Sequence, residues 1–274
     1  MSDLSLAYAE DMIRKDAGGF KVKGDRSYRA KICIFVLTIL LAVTMAISLA
    51  FGASDASVVG VLKGLVFSSN AAGITARDEI IIFDIRLPRI LMGVLVGAAL
   101  AISGAVMQGL FRNPLADPGI VGVSAGAGLG ATATIVIGGI YAPMLIAFLG
   151  IFALPLAAFL GGLLTTFILY GVSTRRGRTS VATMLLAGIA LGALSGALTG
   201  LFVYIADDQQ LRDLTFWGLG SLAGSTWEKL YTAGPFIALA IAASPFLAKG
   251  LNTLALGEAA AHHMGLAVQQ FKNK

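Results

Sequence analysis

The chain has one cysteine and two histidines among its 274 residues, and only 13% of them are charged. Each shortage excludes something. Cys33 has no intrachain disulfide partner, and its place inside the first apolar run suits a small buried apolar residue rather than a redox or metal centre. His262 and His263 lie beyond the last apolar run and read as solvated loop residues, so no metal site is expected. No Asp, Glu, Lys, Arg or His falls well inside an apolar stretch, which removes the usual mark of proton relays and ion-coupled carriers. The same scarcity leaves a membrane enzyme without positioned acids and bases, and no catalytic residue is expected. There is no G-x-x-x-x-G-K-S/T loop, and Gly126-Ala127-Gly128-Leu129-Gly130 sits in an apolar run. The chain therefore lacks that phosphate cradle, and no cofactor is expected on it.

What is present is apolar. Hydrophobic residues make up 57% of the chain, mean hydropathy is +0.85, and charges fall in short blocks between runs of roughly twenty residues, the length that crosses a bilayer. The pI near 9.4 does not point to nucleic acid, because the basic residues sit at the ends of apolar runs and form no stripe interleaved with aromatics. The expected partner is the lipid bilayer. The runs predict an all-α, polytopic transmembrane bundle with six spans near 32–51, 90–110, 119–140, 143–170, 181–205 and 231–247. The first is too long for the apolar region of a signal peptide and reads as an uncleaved span.

Lys and Arg in short loops stay cytoplasmic. Lys15, Lys21, Lys23, Arg26, Arg29 and Lys31 precede the first span, Arg112 follows the second, Arg175, Arg176 and Arg178 follow the fourth, and Lys249 ends the sixth. All lie on one side. The opposite loops hold Asp55, Asp78, Glu79 and Asp84, then Asp207, Asp208, Asp213 and Glu228, with Lys63, Arg77, Arg86 and Arg89 as basic exceptions in the first of them. This places residues 1–31 in the cytoplasm, the transmembrane domain at 32–249, and a second cytoplasmic segment at 250–274.

Gly188, Gly192, Gly196 and Gly200 recur every fourth residue in the fifth span, and Gly122, Gly126 and Gly130 do so in the third. Such strips let helix backbones approach closely, either for static packing or for sliding during a transport cycle. The turn Arg112-Asn113-Pro114-Leu115-Ala116-Asp117-Pro118 is a helix stop and restart, with Asp117 able to cap the span that Pro118 opens. It equally suits a gate, with Asn113 supplying polarity and Leu115 an apolar plug. From Leu251 to Gly265 the chain is too short and polar for a span. It reads as two short helices, one capped by Asn252 and broken at Gly257, the other running from Glu258 to Gly265. Leu254, Leu256 and Met264 are apolar knobs for a partner or for the lipid surface.

Arg86-Leu87-Pro88-Arg89, GAALAISGAVMQ at 97–108, RNPLADPG at 112–119, Trp217-Gly218-Leu219-Gly220-Ser221-Leu222 and LNTLALGE at 251–258 stand in order along the chain. Together they resemble the FecCD-type permease subunits of ABC importers for iron-siderophores, haem and vitamin B12, and look most like the haem permeases. The resemblance implies a bacterial inner-membrane protein, N-terminus cytoplasmic, that works by alternating access. Its implied partners are a second permease copy, ABC ATPase subunits that bind the ATP, and a periplasmic substrate-binding protein. It implies that Arg86 and Arg89 dock the binding protein, that Asn113 and Leu115 form the cytoplasmic gate, and that Leu251, Asn252, Leu254, Leu256, Gly257 and Glu258 couple to the ATPase. It also implies about ten spans, so a C-terminally truncated product or fragment is expected, Val268-Gln269-Gln270-Phe271 continuing as a connecting segment would. The alternatives are a vitamin B12 importer, or an ion-coupled carrier that binds sodium through backbone carbonyls.

Overall fold

The computed structural model describes residues 27–52, 76–175, 178–265 and 268. Expectations for Lys15, Lys21, Lys23, Arg26, Asp55, Lys63, Arg176, the Arg178 side chain and the Gln269-Gln270-Phe271 tail lie outside the described residues. The chain forms two compact units, Met1–Ile82 and Phe83–Lys274.

In the first unit, α1 (Ser27–Ala50) is apolar on every side and has no buried residue, as suits a helix facing lipid. Two of its hydroxyls bond within their own helix, Thr38 Oγ1 donating to the Ile34 carbonyl and Thr44 Oγ1 to that of Leu41, each at 2.8 Å, which matches them without a partner from outside. Cys33, expected to be buried, is exposed on this helix, because α1 offers no interior face.

Four more helices are long and apolar enough to cross a membrane: α2 (Ala76–Phe111), α3 (Val123–Tyr141), α4 (Pro143–Ser173) and α5 (Val181–Ile205). A hairpin of β1 (Thr174–Arg175) and β2 (Arg178–Thr179) joins α4 to α5. Then come α6 (Asp208–Leu219), α7 (Trp227–Ala243), α8 (Pro245–Ala255) and α9 (Glu258–His263).

The fifth span matches its expected limits. Ser180 caps it by accepting from the Thr183 amide. The second does not, since residues 76–89, taken as part of an outer loop, are helical and include a π segment, Ile80–Arg86. The third begins at Val123, because Asp117 caps only a 3-10 turn, Pro118–Val121, which Gly122 ends at φ 81. The sixth is a bent pair, α7 and α8 meeting at 44°. Pro245 brings no amide proton to continue the α7 ladder, and the helix restarts at it. Asn252, expected as a cap, therefore lies inside α8. A further helix, α6, occupies a stretch whose acids had suggested a loop.

Close packing falls on the expected glycines of α3 and on the first of the α5 strip, but not on the rest of that strip. A Cβ on Gly126 would collide with Thr165 and the Gly161 carbonyl, one on Gly130 with the Ala157 carbonyl, and one on Gly161 with the Gly126 carbonyl. The α3 and α4 backbones therefore touch along a small-residue seam. In α5 only Gly188 is so confined, its Cβ site lying 2.8 Å from the Ile120 carbonyl, while Gly192, Gly196 and Gly200 have open space there. The strip is not one packing surface, since only its first turn meets the Pro118–Gly122 bend.

Gly130→Ala is expected to cost about 1–3 kcal/mol, the scale of overpacking a tight contact. Gly196→Ala should be neutral, or stabilising by up to about 1 kcal/mol through the lost backbone freedom of glycine. Thermal unfolding midpoints in detergent compare the two. A Gly130→Ala protein melting with the wild type would refute the seam.

Candidate functional site

The apolar stretch of α2, residues 90–110, separates two polar constellations within the second unit. Arg89 and Arg112 stand about 35 Å apart along the helix, close to the thickness of a bilayer's hydrocarbon core.

At one end, Arg86 is 7% exposed and Pro88 is fully buried, so of the two arginines expected to dock a partner only Arg89 faces outward. Burial of Arg86 places its guanidinium among protein groups rather than at a free rim. Arg89 Nη2 donates to the Ala223 carbonyl at 2.9 Å, tying α2 to the loop that follows α6. That loop is shaped by Gly220 at φ 68, by Ser221 Oγ accepting from the Ala223 amide at 3.0 Å, and by Lys229 Nζ donating to the Gly224 carbonyl at 2.7 Å. Trp227 stacks on Tyr231 and donates from Nε1 to the Phe83 carbonyl at 2.9 Å. The RLPR motif and the segment following WGLGSL, remote in sequence, thus form one structure.

At the other end, α2 stops at Arg112, whose amide donates to the Gln108 carbonyl. Asn113 Oδ1 accepts from the Leu115 amide at 2.9 Å and the Ala116 amide donates to the Asn113 carbonyl at 3.0 Å. The side chain expected to lend polarity to a gate is therefore spent on bracing the turn. Leu115 is held at its tip, 82% exposed, while Ala116 enters a buried cluster with Phe111, Val121, Leu169 and Ala187. The turn is rigid at its base and presents one bare apolar side chain.

The end of α8 packs against this same end of α2. A Cβ on Gly109 would lie 3.1 Å from Leu251 Cδ2, and Leu254 is buried with 1% exposure. Leu254 is thus an anchor and not a docking knob, a correction that follows from its sharing a helix face with Leu251. Asn252, Leu256, Glu258 and Met264 are exposed, as are His262 and His263, which belong to α9 rather than to a loop. Gly257, at φ 104, makes the sharp break between α8 and α9. Arg112 Nη2 approaches Glu258 Oε1 at 3.9 Å.

The sequence reading missed α6. Asp207 accepts from the Gln210 amide at 2.8 Å while Gln210 Oε1 accepts from the Asp207 amide at 3.0 Å. This capping box was visible as an Asp followed three residues later by a Gln. Gln210 Nε2 also donates to the Val136 carbonyl at 3.1 Å, inside the π segment Thr134–Gly138 of α3. Beneath α6 lies a cavity of about 430 Å³, lined in part by Gly128, Thr132, Gly196, Thr199, Thr215 and Trp217. Among the described residues no charged side chain lines it. Its lining is mainly apolar, with Val203, Leu211 and Leu214 beside the three hydroxyls and the indole.

Comparison with known proteins gives this geometry a context. The hemin transport system permease protein of Yersinia pestis is 44% identical over 189 residues, covering 69% of this chain and 55% of that protein. The vitamin B12 import system permease protein of Klebsiella pneumoniae is 40% identical over 244 residues, 87% of this chain and 65% of that one. The chain thus spans between half and two thirds of the length of these relatives. A metal-chelate type ABC transporter, solved in an inward-facing conformation, superposes with a TM-score of 0.73 at 33% identity, over 88% of this chain and 70% of that one. The model of the FecCD transport family matches residues 40–274, and with its multi-pass helical architecture the chain belongs to that family.

Proposed function

We propose that this chain is the membrane permease subunit of an ATP-binding-cassette importer that carries an iron chelate, haem or a ferric siderophore, inward by alternating access. The observation that carries the reading is the joining, at one end of α2, of the Leu115 turn to a short helix pair with an exposed apolar rim. An importer driven by a separate ATPase needs such a junction, since force applied at the helix pair must reach the constriction. Leu256, 68% exposed, and Met264, 55% exposed, form the rim offered to the ATPase, which binds the ATP. A second permease copy facing the first would bring two Leu115 tips together as an apolar closure.

The α2 end bearing Arg89 would face the periplasm and the binding protein, with the N-terminus and the helix pair in the cytoplasm of an inner-membrane protein. Arg86, being buried, would support that rim from within. The uncharged cavity under α6 suits a route that must release its cargo, because strong contacts would retain it. Vitamin B12 is the second reading, favoured by the broad match to the Klebsiella permease.

In liposomes holding the permease and its ATPase, with binding protein added, ATP-driven uptake is expected for hemin rather than cyanocobalamin. Uptake on an ion gradient without ATP would overturn the importer reading. Leu256→Asp should leave the melting temperature within about 1 °C, as surface changes do, and abolish co-purification with the ATPase. Leu254→Asp should unfold the helix pair. Retained ATPase binding by Leu256→Asp would remove the rim from the docking surface. Arg89→Glu is expected to weaken binding-protein docking about tenfold at low salt, less at high salt, through lost charge complementarity; equal titration curves for the two proteins would rule it out.

A further inference from the structure

We infer that Arg112 is a strut, a positioning residue whose guanidinium links the helix pair offered to the ATPase to the turn bearing Leu115. The inference rests on the importer reading above. Among the described residues Arg112 is the one residue other than glycine with positive φ, at φ 52 and ψ 36. Glycine is the residue that ends helices in this conformation without strain, so the arginine there carries a backbone cost that glycine would not. That side chain reaches α9: Nη2 lies 3.9 Å from Glu258 Oε1, and Nη1 lies 3.9 Å from where a Cβ on Gly257 would stand.

Folding stability does not account for the contact. The two side chains are 45% and 47% exposed, and ion pairs in such settings contribute little. Their position matters more. Arg112 is the last residue before the Asn113 bracing bonds, and its neighbour Phe111 sits in the same buried cluster as Ala116. A displacement of α9 is therefore delivered to the residue where α2 ends and the turn begins. Gly257, at φ 104, supplies the break about which α9 can move, while Leu251 and Leu254 keep the α8 side fixed on α2. One side of the junction is anchored by the apolar packing of Leu251 and Leu254, and the other by the small buried Ala261 and the charge contact.

The test uses the assembled transporter in liposomes, with hemin and cyanocobalamin as parallel probes and ATP hydrolysis measured beside uptake. Arg112→Glu and Glu258→Arg are each expected to lower transport per ATP hydrolysed about fivefold, the upper range for a partly exposed pair. Together they should restore it. Arg112→Gly relieves the backbone strain, so its melting temperature should hold or rise while transport per ATP falls like that of the charge reversals. Undiminished coupling in the single variants, or a double variant no better than either single, overturns the strut alone. A wild-type transporter without ATP-driven uptake of either probe overturns the importer reading and the strut with it.

Discussion

A helix in lipid must satisfy its own backbone, and wherever one is interrupted some other group has to take over the stranded donors and acceptors. Several of the interruptions among the described residues fall within the motifs. In α2 the π segment Ile80–Arg86 has its Phe83 carbonyl taken by Trp227 Nε1, and in α3 the segment Thr134–Gly138 has its Val136 carbonyl taken by Gln210 Nε2. The break between α2 and α3 is closed by Asn113 and Asp117, each accepting from an amide two residues on. Long-range order in the second unit thus follows from local backbone need. Trp227 and Gln210 each fix a remote helix because that helix has a carbonyl to offer.

The same demand separates the glycines by role. Gly126, Gly130 and Gly161 permit two backbones to meet, and with so little gained from apolar burial inside lipid, such contact is a main source of helix association. Gly122 and Gly188 bring the bend before α3 against α5, and Gly122 does so at φ 81, where a side chain would be strained and would also strike the Gly188 carbonyl. Gly196 borders the cavity instead. A glycine spaced every fourth residue therefore marks a smooth helix face, and what that face meets is set by neighbours that the spacing does not contain.

Much of the architecture was legible because hydrocarbon thickness imposes a length. The limits of α5 followed from an apolar run set between the basic residues ending at Arg178 and the acids beginning at Asp207. What escaped was decided by tertiary context or by signals weaker than hydropathy. The acids of α6 resemble a loop in sequence, and the Asp207–Gln210 capping box is what marks a helix there. Arg86 and Arg89 look equivalent in sequence, yet one is buried and the other exposed, because Arg86 closes the π segment Ile80–Arg86 while Arg89 lies in the regular helix after it. Leu251 and Leu254 were separable from Leu256 by their three-residue spacing, but which face was inner depended on Gly109 of α2.

The junction at the end of α2 combines a rigid half with a yielding half. Apolar packing of Leu251 and Leu254 holds α8 to α2, the buried cluster around Phe111 and Ala116 holds the turn, and neither can shift without opening a cavity. The α9 side has no comparable anchor beyond Ala261, which is buried, and its link to the turn passes through exposed charged groups. Coupling between distant sites requires an element with two arrangements of similar energy, which close-packed cores resist and solvated ion pairs allow. In the importer proposed above, motion enters where the structure is least costly to rearrange and is passed to a turn too well braced to absorb it. The bare Leu115 at the tip is then the one part of the junction free to open or close against a partner.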